Sequence, residues 1–243
     1  MTSPLLPLLP LCAALWLAAG AALAQSAEPN GAAVEADWVE YRNAYRAMIW
    51  FEKYGKPKQF LQNHYRVTPR DKGVSTDGLR LTLDSKSLHL NLALDGIGRA
   101  VFPLSKAAYD DNAELSLNRK TGLFRLRPWV SIVGRADGVY EAADLRAACD
   151  QALAYLRHSG EGWVRGKQCV GVQFSYARND GYAEVRFRKA DRTLSTLPAH
   201  EGGAFAGDVV DTLKVVVYRF AALPDAGQVI TRNAPLAIAP LIE

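Results

Sequence analysis

The sequence predicts an α+β protein built mainly from antiparallel strands, as a sandwich or curved sheets, with two amphipathic helices and one disulfide. Three observations carry this. Between Phe60 and Val133 apolar residues alternate with polar ones and are broken at short intervals by polar turns, which is the period of half-buried strands. Two windows, one ending near Tyr54 and one running from Glu141 to His158, space their apolar residues at helical intervals instead. Past residue 24 the cysteines are Cys149, inside the second helical window, and Cys169, where a strand-like run begins.

The chain opens on an apolar run, Leu11 to Ala19, followed by Ala22-Leu23-Ala24 and a polar stretch from Gln25. Residues 1–24 have the form of a secretory signal peptide with a small-x-small cleavage site, although no Lys or Arg precedes the apolar core. Everything after it holds all 29 basic and all 25 acidic residues and no second apolar stretch of membrane-spanning length. A pair of cysteines in an exported chain reads as a disulfide, and the absence of any Asn-x-Ser/Thr sequon fits a bacterial periplasm. Residues 25–36, small, polar and broken by Pro29-Asn30-Gly31, read as a flexible leader. Residues 37–243 read as a single α+β domain, with 134–138 the place where two subdomains could meet.

Asp37-Trp38-Val39-Glu40 has the form of a capping box and starts a helix that runs to Tyr54. Its stripe of Trp38, Tyr41, Tyr45, Met48 and Ile49 suits docking on a sheet, and Gly55 with Pro57 stops it. Leu79, Leu81 and Leu83 alternate with polar residues, Ser85-Lys86-Ser87 turns the chain, and Leu88 to Leu94 alternate again, so this is a hairpin with one buried face. A second pair, Leu115-Ser116-Leu117 and Leu123 to Leu126, is joined through residues 118–122. The helix of residues 141–158 buries Leu145, Ala148, Cys149, Ala152, Leu153 and Leu156. Cys149 therefore points towards the strand starting at Cys169, and a bond between them fastens helix to sheet. Val170 to Tyr176 and Val185 with Phe187 form strands around a turn at Asn179-Asp180-Gly181. Leu213 to Tyr218 reads as a strand covered on both sides, and the tail from Ala234 to Ile242, with Pro235 and Pro240, as an edge segment.

Catalytic constellations are not found. The serine-nucleophile elbow fails at Gly73-Val74-Ser75-Thr76-Asp77, where the second glycine comes one residue late. His64, His89, His158 and His200 are too scattered for a zinc motif, Gly96-Ile97-Gly98 lacks the rest of a dinucleotide fingerprint, and Cys149 sits mid-helix rather than in a redox dithiol. Asp110 and Asp111 are adjacent carboxylates with which Asp84 and Asp95 could converge as an acid and base pair, but in a polar loop they read as solvated or capping groups. The sequence thus assigns no catalytic residue, cofactor or metal. A net charge of +4 is too mild to argue for nucleic acid. With Val185 and Phe187 pointing inward, Arg186 and Arg188 point outward, and Lys189, Arg192, Arg165 and Lys167 enlarge a basic face suited to an anionic envelope component or a protein partner. The sequence is therefore read as a periplasmic, non-catalytic binding or accessory factor of the cell envelope that does not span the membrane. An envelope hydrolase acting on glycan or peptidoglycan with dispersed carboxylates is the alternative.

Mass spectrometry of the protein recovered from the periplasm should place the N-terminus at or near Gln25. Retention of Met1, or a lipid on Cys12, would overturn this reading.

Overall fold

The computed structural model describes residues 38–223 and 226–243. The expected signal peptide at 1–24, the expected leader at 25–36 and Asp37 lie outside the described residues. In chain order the elements are β1 (Trp38–Glu40), α1 (Tyr41–Glu52), β2 (Leu61–Pro69), β3 (Leu81–Asp84), β4 (His89–Leu92), β5 (Arg99–Ala100), α2 (Lys106–Asp110), β6 (Glu114–Leu117) and β7 (Phe124–Ile132). There follow β8 (Val139–Glu141), α3 (Ala142–His158), β9 (Cys169–Tyr176), β10 (Val185–Lys189), β11 (Leu194–Thr196), β12 (Ala199–Gly202), β13 (Leu213–Arg219), β14 (Gly227–Thr231) and β15 (Ala237–Ile242). The strands form three antiparallel sheets, ordered β1-β6-β3-β4, β11-β10-β14-β8 and β12-β13-β9-β15-β7-β2-β5. The α+β, mainly antiparallel class expected from the sequence is what the structure shows. No described helix is long and apolar enough to cross a membrane.

The longest pairing joins β2 to β7, from Leu61 opposite Ile132 to Pro69 opposite Phe124. Because side chains alternate across a strand, Leu61, Tyr65 and Val67 fall on one face with Phe124, Val130 and Ile132. That face feeds two apolar clusters. Leu61, Val130 and Ile132 pack with Val172, Phe174, Val216, Tyr218 and the buried side of α3. Tyr65, Val67 and Phe124 pack instead with Tyr41, Met48, Leu81, Leu83, Leu115 and Leu117, beneath α1 and the sheet of β1, β6, β3 and β4.

Helix α3 matches its sequence pattern, since Leu145, Ala148, Cys149, Ala152, Leu153 and Leu156 are all buried. It ends in a Schellman motif: Gly160 takes φ +81°, its amide donates to the Arg157 carbonyl, and the Glu161 amide donates to the Leu156 carbonyl at 3.0 Å. Cys149 is fully buried and disulfide-bonded to Cys169, with the two Cα atoms 5.9 Å apart, so the bond ties the middle of α3 to the first residue of β9.

Five local expectations are corrected. Helix α1 begins at Tyr41, because Trp38–Glu40 is spent on pairing with Ser116–Glu114 of β6; Glu40 precedes the helix without a side-chain cap. The buried stripe is accordingly Tyr41, Ala44, Met48 and Phe51, while Trp38 is 52% exposed. Leu115 and Leu117 do not make a hairpin with Phe124 and Leu126, since β6 completes the α1 core beside β3 while β7 finds in β2 a partner of its own length. Strand β10 does not return along β9; it pairs with β14 and β11, and Phe187 stacks on Tyr218 from that separate sheet. The tail is interior, because β15 lies between β9 and β7 and buries Ala237, Ile238 and Ala239; Pro240 is accommodated past Ile238, the sole register pair with β7. Helix α2, capped by the Ser105 hydroxyl accepting from the Ala108 amide, is a third helix beyond the two amphipathic ones expected.

Cys149→Ser should lower unfolding stability by about 3 kcal/mol, the chain-entropy value for a loop of this size. Chemical denaturation of the oxidised parent and the variant checks this, and free thiols in alkylated parent protein would contradict it.

Candidate functional site

The second face of the β2–β7 pair carries Gln62, His64, Arg66 and Thr68 opposite Ser131, Trp129, Arg127 and Arg125. Arg66, Thr68, Arg125, Arg127 and Trp129 of this face form the floor of a cleft of about 380 Å³. The turn Asp95–Gly98 forms one wall, the loop of residues 204–210 another, and Thr76–Leu79 the rim. Gly98 is required in that turn: φ is +78°, and a Cβ there would lie 2.1 Å from the Val67 carbonyl oxygen.

Arg66 joins both walls. It is 6% exposed; its Nε donates to the Ile97 carbonyl at 3.1 Å, and its two terminal nitrogens donate to the Asp208 carboxylate at 2.7 and 2.8 Å. The guanidinium lies 4.5 Å from the centre of the Phe205 ring, which meets Trp129 edge to face. Asp208 also accepts from the Phe205 amide, closing the loop on itself. Every nitrogen of Arg66 is thus engaged, and it serves as a strut between the walls. Arg99 does the same beside it, donating to Asp95 at 2.8 Å, to the Ser131 hydroxyl and to the Leu236 carbonyl.

Arg125 and Arg127 differ from these two. Arg127 lies 4.2 Å from the Trp129 ring and pairs with Glu161 at 3.4 Å, the acid that the Gly160 turn delivers. Burial lowers its affinity for a proton, Glu161 opposes this, and the like charges of Arg125 and Arg66 lower it further. The Arg125 side chain is exposed and makes no hydrogen bond or ion pair among the described residues. Of the carboxylates lining the cleft, Asp208 and Asp95 are held by the struts, while Asp77 stands on the rim. His64 lies on the same face with its Nδ1 buried and unpartnered. Burial, then the Arg99 guanidinium, hold its imidazole below the ordinary histidine value, against the opposing charge of Asp95.

A smaller cleft of about 290 Å³ lies between the ends of α1 and α3 and is lined by Trp50, Asn63, Tyr155 and Glu161 among others. Arg127 and Trp129 line both clefts. Trp50 is 55% exposed, with its ring 5.8 Å from that of His158.

The residues singled out in the sequence fall elsewhere. Val185 and Phe187 of β10 are buried and Arg186 is exposed, but Arg186 pairs with Glu184 at 2.7 Å and Arg188 donates to Gln228, which in turn donates to Glu141. The outer face of β10 therefore has mixed charge. Lys189 ends that strand and Arg192 turns the chain at φ +68°. Arg165 and Lys167 belong to the segment between α3 and β9, where Lys167 accepts from Arg157 through its carbonyl, and no described contact joins them to β10. Asp84 pairs with His89, Asp110 with Lys106, and Asp111 accepts from Ser85 and Ser87, so each is held locally. The Ser75 hydroxyl accepts from the Asp77 amide within a turn. Among the described residues no group of three His, Cys, Asp or Glu side chains is placed to hold a metal ion. No family model, curated protein or solved structure matches the chain.

Asp208→Ala strands a buried guanidinium and should cost about 3–5 kcal/mol of unfolding free energy, whereas the double change Arg66→Met with Asp208→Leu should restore most of it. Urea denaturation of the three proteins measures both, and a cost below about 1 kcal/mol for the single change would show that Arg66 is not the strut described.

Proposed function

We propose that the protein is an exported, non-catalytic binding factor of the bacterial cell envelope and that its larger cleft takes an anionic ligand. One observation carries the reading: Arg125 points from the cleft floor with no partner, beside Arg127, in a site whose other arginine, Arg66, is fully occupied by the fold. Clustered guanidinium groups repel one another, and a bound carboxylate or phosphate relieves that repulsion while accepting paired, charge-assisted hydrogen bonds. The walls are preset by the Arg66 and Arg99 hydrogen bonds, so little ordering is needed on binding. Export and a periplasmic address belong to the same reading, which is supported by the apolar leader and by a disulfide in the mature chain. The outer face of β10 is the rival surface for an anionic partner.

Calorimetric titration with acidic envelope glycans and inorganic phosphate should show binding to the parent that weakens as salt rises. Arg125→Glu should reduce it at least tenfold with little change in melting temperature, because an exposed, unpaired arginine contributes little to stability. Reversing Arg186 and Arg188 to Glu should leave it intact. Loss of binding in the β10 double variant, with retention in Arg125→Glu, would move the site to β10.

A further inference from the structure

Resting on that reading of the larger cleft, we propose that the ligand is an acidic oligosaccharide, long enough to pass over Arg127 and Trp129 from the larger cleft into the smaller one. The larger cleft is not simply basic. Arg125 offers a bidentate partner for a carboxylate, while Thr68, Thr76 and the rim carboxylate of Asp77 offer partners for hydroxyl groups. A polyphosphate gains at Arg125 and is repelled at Asp77. A uronic acid unit carries both a carboxylate and several hydroxyl donors, and so satisfies both ends of the site. Arg127 and Trp129 line both cavities, while Asn63 and Val130 of the smaller one belong to the opposite face of the ladder, so a chain that reaches it from the larger cleft crosses the edge of β7 at these residues.

The chemistry there is complementary in a different way. Its lining cation is Arg127, already paired with Glu161, and it presents the exposed indole of Trp50 and the half-buried ring of Trp129, while Tyr155 lines it from the core. Trp50 is not needed for docking α1, because Tyr41, Ala44, Met48 and Phe51 bury the opposite side of that helix. A large, half-exposed indole offers a flat apolar surface, and sugar rings carry a matching apolar C–H face with polar groups at the rim. Asn63 also lines this cleft, and its buried Oδ1 lacks a hydrogen-bond partner, leaving an acceptor for a ligand hydroxyl.

The test is calorimetric titration of the full chain with a galacturonic disaccharide, a galacturonic hexasaccharide, the methyl-esterified hexasaccharide and a hexaglutamate peptide. The parent should bind the acidic hexasaccharide about tenfold or more tightly than the disaccharide. Trp50→Ala should erase that advantage and leave disaccharide affinity unchanged, and Arg125→Ala should weaken both about tenfold. Thermal melts of both variants confirm that they remain folded, and Trp50→Phe should keep most of the length advantage. Equal affinity for the two acidic sugars, with Trp50→Ala silent, would overturn the two-cleft proposal while leaving the anion site standing. Preference for hexaglutamate would assign the groove to acidic peptides and overturn it. Binding of the methyl ester as tightly as the acid would sink the anion site and this proposal together.

Discussion

The pairing of β2 with β7 commits alternate side chains to opposite sides of the large sheet, and most of the structure follows from that commitment. On one side its residues enter the clusters beneath α1 and α3, so two cores are built on a single rigid ladder. On the other side the same alternation sets His64 opposite Trp129, Arg66 opposite Arg127 and Thr68 opposite Arg125. A slip of β7 by one residue would exchange its two sets, placing Arg125 and Arg127 in the cores and Phe124, Val130 and Ile132 in the cleft. The burial demanded by Leu61, Val67, Phe124 and Ile132 is therefore what positions the polar site.

A buried ion pair such as Arg66–Asp208 is weak support for overall stability, because removing two charges from water offsets most of their attraction. Its effect is directional. Three guanidinium nitrogens reach a turn after β4 and a loop before β13, which lie more than a hundred residues apart in sequence, and hold both at fixed distances from the sheet. The Phe205 and Trp129 rings close the remaining apolar gap around it. Arg125 is left as the guanidinium that folding does not consume, and this division of labour within one arginine cluster separates scaffold from site.

Much of the architecture was legible in the sequence because period and composition report burial directly. The stripe of α3, its cysteine and the β3–β4 hairpin follow from spacing alone. What spacing does not report is which strand pairs with which. Leu115-Ser116-Leu117 and Phe124-Arg125-Leu126 look like neighbours across a short turn, yet they join different sheets because α1 and β2 compete for them through contacts distant in sequence. Pro240 reads as an edge signal and sits in the middle of a sheet, because two strands part there. The cleft was legible in principle. Arg125, Arg127 and Trp129 occupy the polar phase of an alternation whose apolar phase alone reports burial, and the partners of Arg186 and Arg188 arrive from elsewhere in the chain, Glu184 from the segment before β10 and Gln228 from β14.

Apart from Ile132, β7 has no register partner among the described residues on the side away from β2, so its backbone there is an open edge of the sheet. The amides of Val133 and Arg70 donate across the β2–β7 ladder, to Phe60 and Leu123, which places the odd-numbered residues of β7 in the hydrogen-bonded positions and turns the nitrogen of residue 128 outward. That residue is Pro128, which has no hydrogen to donate. A foreign strand laid along this edge meets a gap in the donor row at its centre, so the exposed backbone beside the cleft resists edge-to-edge aggregation.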